Sequence, residues 1–239
     1  MLVSNRLIQL SLLLIAILIG SRLISLGMYP LFDTTEARYA EIARIMFETR
    51  DWITPQFDYN IPFWGKPPLH TWFSAISFAL FGVNEFSARI PHFLTGIATL
   101  ITLYYFAKTH FSKLVAIRST LILTTSLGFL VAIGMVMTDS QLLFSISLAM
   151  VSFYHCYFNA SKFAGICFFV ALAIGMLAKG PVAIILIGIP LTLWSIHHKK
   201  LWHALSSLPW LAGSAILLTL TLPWYLLAEL KTPGFLDYF

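Results

Sequence analysis

The sequence predicts an all-α membrane protein with about seven transmembrane helices and an outer-side juxtamembrane helical insert between the first and second spans. Two observations predict it. The chain has 239 residues, is 59% hydrophobic and only 10% charged, and has a mean hydropathy of +0.83, whereas soluble domains carry roughly 25% charged residues. The charge is also concentrated. Six of the ten acidic residues and four of the fifteen basic ones fall between Tyr29 and Pro68.

The first apolar run, Leu7 to Leu26, follows Arg6 and is long enough to span the hydrocarbon core. It has a signal-peptide flavour, but no small-x-small cleavage pattern follows and further spans come later. It reads as an uncleaved first helix. Later apolar runs fall at Leu69–Phe81, Ile90–Ala107, Leu114–Met137, Leu142–Phe158, Phe163–Ala178, Val182–Ile196 and Ala204–Leu227. Gly82, Gly180-Pro181, His197-His198-Lys199-Lys200 and Pro233-Gly234 punctuate them. No internal repeat, low-complexity tract or soluble domain is visible. The whole of 1–239 reads as one transmembrane domain, with residues 28–68 as its outer loop.

Basic residues in short joints set the orientation. Lys108, Lys113 and Arg118 mark one cytoplasmic joint, Lys162 a second, and Lys199 with Lys200 a third. The insert then lies outside, together with Asp139, Lys179 and Glu229. On this assignment all ten acidic residues face outward. Parity allows one crossing between Lys66 and Lys108, yet two apolar runs lie there. Leu69–Phe81 is the shorter and opens on Pro67-Pro68, so it is the one expected not to span. The net charge of +5 belongs to this loop asymmetry rather than to nucleic-acid affinity.

Within the insert, Asp33-Thr34-Thr35-Glu36 has the form of a helix start, with Asp33 or Thr34 as cap and Glu36 in the first turn. Helical spacing runs from Glu36 to Thr49, with Ala37, Ala40, Ile42, Ile45 and Met46 on the apolar face. Trp52, Phe57, Phe63 and Trp64 suit an interfacial aromatic belt. An amphipathic interfacial helix with a charged outer face accounts for these features without chemistry. The mixed signs of Asp33, Glu36, Arg38, Arg44 and Lys66 point instead to a site where cations hold a phosphate beside a carboxylate base. Asp139 and Lys179, each at a joint between apolar runs, join them as candidates; a helix cap and a snorkelling lysine are the structural alternatives. Cys156 and Cys167 lie in apolar stretches and form no disulfide framework. The seven histidines lack ligand spacing. No phosphate-binding glycine loop, serine elbow or H-E-x-x-H motif is present.

Five stretches in order carry a resemblance. They are Asp33-x-x-Glu36-Ala37-Arg38-Tyr39-Ala40-Glu41, Trp64-Gly65-Lys66-Pro67-Pro68-Leu69, Glu85-Phe86-Ser87-Ala88-Arg89-Ile90-Pro91, Thr138-Asp139 and Ala178-Lys179-Gly180-Pro181. Together they resemble the GT-C membrane glycosyltransferases, in particular the aminoarabinose (undecaprenyl phosphate) lipid A transferases and the protein O-mannosyltransferases. The resemblance implies a GT-C-like fold and sugar transfer from a polyprenyl-phosphate carrier to a lipid or protein acceptor at the periplasmic face of the inner membrane. Carried onto this chain, it makes Asp33 the catalytic base and Asp139 a second catalytic carboxylate. Arg38, Lys66, Lys179 and Glu36 become substrate-binding residues. It implies no certain cofactor and leaves a divalent metal open. Relatives commonly carry a metal-holding Glu before Lys-Pro-Pro, where this chain has Gly65.

Family members are markedly longer, so the chain is expected to be an N-terminal fragment or a truncated product. Two other classes compete. A lipid or ion transporter would carry mid-helix charges facing a pathway, but only Arg22 lies near a span interior. An inactive remnant with a structural role would be a stable membrane protein that makes no product.

Overall fold

The structure is a computed structural model describing the backbone of residues 2–32 and 34–238, with side chains from Arg6 onward. It is almost entirely helical. In chain order the elements are α1 (Leu2–Ser25), α2 (Thr34–Thr49), β1 (Gln56–Asp58), β2 (Ile61–Pro62), α3 (Leu69–Phe81), α4 (Glu85–His110), α5 (Lys113–Thr125), α6 (Leu127–Gly134), α7 (Asp139–Asn159), α8 (Lys162–Lys179), α9 (Val182–His197), α10 (Leu201–Ser207), α11 (Trp210–Lys231) and α12 (Phe235–Tyr238).

Among the described residues five helices, α1, α4, α7, α8 and α11, are long and apolar enough to cross a membrane. A sixth crossing is available if α5 and α6 form one span, and these two are bent by 70° at their junction. The sequence treats Leu114–Met137 as one run. Ser126 interrupts it, because its backbone is extended and its hydroxyl accepts the Phe129 N–H, capping a new helix. At 16 residues α9 reaches about 24 Å, short of the roughly 30 Å hydrocarbon core. The 13-residue α3 matches the run expected not to span. Ala204–Leu227, expected as one run, is also broken. Pro209 forces Leu208 into extended backbone, so α10 ends there and α11 begins at Trp210.

The chain divides into two compact units. The first comprises Met1–Glu48 with His70–Ser140. In it α5 packs against α1 and α4, and α6 packs against α4 and α5. Leu10, Leu13 and Ile17 of α1 are 61%, 57% and 55% exposed, an apolar surface that water would not tolerate but lipid does. In α2 the buried stripe is Tyr39, Ala40, Ile42, Ala43, Ile45 and Met46. Ala37, expected on that stripe, is exposed. A polar seam joins α3 to α4, where Ser74 donates to the Ala88 carbonyl at 2.9 Å and lies 3.0 Å from His92 Nε2.

The second unit comprises Thr49–Leu69 with Gln141–Phe239. In it α8 packs against α9 and α11. Its core includes Phe153, Phe168, Phe169, Leu172 and Ile187. The approach of α11 to α8 is close, since a Cβ on Gly213 would lie 2.0 Å from the Phe169 ring. Small residues permit such approaches between membrane helices. The β1–β2 hairpin pairs Gln56 with Pro62 and Asp58 with Ile61, an element the helical expectation for the insert omits. Asn60 takes the positive φ of its turn, 64°, which asparagine tolerates. Asp51 and Lys231 form an ion pair at 2.7 Å, and the Trp224 indole donates to the Ile53 carbonyl at 2.8 Å. These contacts tie the loop after α2 to α11.

Candidate functional site

Asp33, the expected base, lies outside the described residues. The helix whose start it was expected to mark begins at Thr34. Glu36, in the first turn of α2, is fully enclosed. Its Oε1 accepts from Arg89 Nε at 2.8 Å and from the Val136 N–H at 3.2 Å. Its Oε2 accepts from Arg89 Nη2 at 3.0 Å and from the Phe32 N–H at 3.3 Å. This departs from the substrate-binding expectation, because a carboxylate taking four hydrogen bonds inside the protein is not presented to a ligand. It holds the head of α2 against the segment leading to Asp139.

Arg89 completes that knot, and sequence reasoning gave it no role. Its Nη1 donates to the carbonyls of Leu26 and Tyr29, at 2.6 and 2.8 Å, and its Nη2 also donates to Pro30 at 3.0 Å. The guanidinium lies 3.9 Å from the centre of the Tyr29 ring. One side chain therefore closes the C-terminal end of α1, the chain leaving it and the start of α2. The available signal was the place of Arg89 in Glu85-Phe86-Ser87-Ala88-Arg89-Ile90-Pro91, a charge at a helical position with apolar neighbours.

Arg38 is exposed and forms no ion pair among the described residues. Tyr39, beside it, is buried. Burial pushes its phenol above the usual tyrosine range; the Arg38 charge opposes that rise and the Asp139 carboxylate adds to it. Arg38, Tyr39 and Asp139 thus share one electrostatic neighbourhood in the first unit. Asp139 is half-buried and is the first residue of α7, where a carboxylate complements the helix dipole. Tyr39 is the member that sequence reasoning missed.

Lys66 and Lys179 belong to the second unit. Lys66 is half-buried in the loop before α3 and forms no ion pair among the described residues. Two positions earlier, the indole N–H of Trp64 is enclosed without a hydrogen-bond partner among them. Lys179 is half-buried in the last turn of α8, where a cation complements the dipole, and Gly180 caps that helix at φ 70°.

No three His, Cys, Asp or Glu residues among those described could hold a metal ion. Gly65 supplies no ligand, and a Cβ there would lie 2.8 Å from the Phe63 ring. The described donor set does not fit a resident metal.

Fold and site together define a multi-pass helical membrane protein with carboxylates and cations gathered at an insert and at helix ends. Residues 6–239 match the family described as dolichyl-phosphate-mannose-protein mannosyltransferase. The chain belongs to that family. An undecaprenyl phosphate-alpha-4-amino-4-deoxy-L-arabinose arabinosyl transferase from Aeromonas hydrophila is 30% identical over 91% of this chain and 40% of its own length. The corresponding transferase from Pseudomonas savastanoi is 30% identical over 95% and 43%. The crystal structure of ArnT from Cupriavidus metallidurans bound to undecaprenyl phosphate superposes with a TM-score of 0.89 at 27% identity, covering 95% of this chain and 43% of that one. The chain therefore spans less than half the length of these relatives.

Proposed function

We propose that this chain is the N-terminal, active-site-bearing part of a glycosyltransferase that uses a polyprenyl-phosphate-linked sugar. The acceptor is lipid A or another glycolipid at the periplasmic face of the inner membrane. The observation that carries this reading is the superposition on ArnT bound to undecaprenyl phosphate, at a TM-score of 0.89. In this reading 1–239 is one transmembrane domain, with 28–68 as its periplasmic loop.

The chemistry follows from the residue types. The bond from the anomeric carbon to the carrier phosphate breaks, and its electron pair leaves on a phosphate oxygen. Arg38, Lys66 and Lys179 supply fixed cations for that developing charge. Asp33 takes the proton of the acceptor nucleophile, and Asp139 is the second carboxylate of the site. Glu36 acts as framework, holding α2 through Arg89 and Val136.

The family description favours a second reading, a protein acceptor, in which the same residues serve protein O-glycosylation. One experiment separates the two. Envelope lipids and proteins are compared by mass spectrometry with the native gene intact and deleted. Loss of a sugar mass from a lipid supports the first reading, and loss from protein supports the second. No change in either contradicts sugar transfer.

A further inference from the structure

We infer that the crevice between α1 and α6 holds the phosphate of an anionic lipid, with Arg22 as its counter-charge. Arg22 stands in the last turn of α1, three residues before the helix ends at Ser25, so it lies at the insert's end of the span. That is the depth of lipid headgroups. The crevice has a volume of about 350 Å³ and is lined by Leu18, Ser21, Arg22, Ser25, Leu127 and Leu130 among others. One wall is polar and the remainder is apolar, as a headgroup with the top of an acyl chain requires.

The guanidinium is held at two points and has no counter-ion among the described residues. Nε donates to the Leu130 carbonyl at 3.0 Å, and Nη1 lies 3.5 Å from the Ser25 hydroxyl. The group lies flat over Gly134, where a Cβ would come within 1.8 Å of Cζ, Nε and Nη2. No carboxylate pairs with Arg22, and Nη2 has no hydrogen-bond partner, among the described residues. The Leu130 carbonyl of α6 accounts for Nε. It does not neutralise the charge, and at headgroup depth a cation is attracted to anionic lipid. Arginine offers five N–H donors in a planar fork suited to phosphate. With no acid paired to it among the described residues, a lipid phosphate is the anion that the crevice suits. The inference needs only membrane placement and does not depend on sugar transfer.

The test is native mass spectrometry of the detergent-solubilised chain, read without turnover. Wild type, Arg22→Gln, Arg22→Lys and Ser21→Trp are each mixed with phosphatidylglycerol, phosphatidylcholine or lipid A. The expected result is an adduct with an anionic lipid that exceeds the phosphatidylcholine adduct. Arg22→Gln lowers it about tenfold, and Arg22→Lys largely restores it. Ser21→Trp fills the crevice without touching the Arg22–Leu130 bond and also lowers it, which guards against misfolding of the charge variant. Retention of phosphatidylglycerol assigns the site to bulk phospholipid, and selective retention of lipid A assigns it to an acceptor-type lipid; both support it. Equal adducts in wild type, Arg22→Gln and Ser21→Trp overturn it. Displacement by an equal concentration of inorganic phosphate overturns the assignment to a lipid.

Discussion

Arg89 and Glu36, 53 residues apart, form a fully enclosed two-point ion pair, Nε to Oε1 at 2.8 Å and Nη2 to Oε2 at 3.0 Å. Every remaining hydrogen bond of the pair goes to backbone of the α1–α2 connection or to Val136. The pair therefore fixes where α2 begins and where the approach to Asp139 runs.

Removing one partner leaves an uncompensated buried charge. Arg89→Ala and Glu36→Gln are each expected to cost about 3–5 kcal/mol. Thermal unfolding in detergent, with membrane abundance as a second readout, checks this. Midpoints within error of wild type for both variants would contradict the assignment.

Asp51 provides a pH signature outside the spans. Burial raises its pKa, but the Lys231 ammonium and the Thr54 and Ile53 N–H groups outweigh burial and hold it below the usual carboxylate value. A depressed folded-state pKa contributes stability above the unfolded value, about 3.9, and that stability is lost as pH falls through the folded value. Asp51→Asn should therefore lower the melting midpoint at neutral pH and flatten its dependence on acidification. An acid profile identical to wild type would contradict this.

Gly213→Ala places a methyl group 2.0 Å from the Phe169 ring, and Phe169 is buried at 1% exposure. Overpacking there should cost about 1–3 kcal/mol by separating α8 from α11. An unchanged melting midpoint would show that the two helices are not held this closely.

Much of the fold is legible in the sequence because lipid imposes a simple rule. An apolar run of sufficient length must satisfy its own backbone as helix, so the ends of α1, α3, α7 and α8 fall near the edges of their runs. The breaks at Ser126 and Pro209 were hidden because a hydropathy run averages over a single polar or imide residue. Those residues act locally, one by capping and the other by forcing the residue before it into extended backbone. The Glu36–Arg89 pair was hidden for a different reason. Nothing in local spacing tells an enclosed carboxylate from an exposed one, and the partner lies on another helix. Tyr39 was not among the apolar-face positions read from the spacing, yet it is buried on that stripe, and its electrostatic neighbour Asp139 is visible only in three dimensions. The candidate cations were legible because charge is scarce in this chain.

The central claim is that this insert performs sugar transfer from a lipid phosphate. Its most direct test is transfer from a polyprenyl-phosphate-linked sugar to endogenous acceptors, in membranes carrying the native gene product with Lys66→Ala or Asp33→Ala. Protein abundance is matched to wild type and the product is read by mass spectrometry. The account predicts that each substitution lowers transfer by about a hundredfold or more. Full activity in both variants would contradict it.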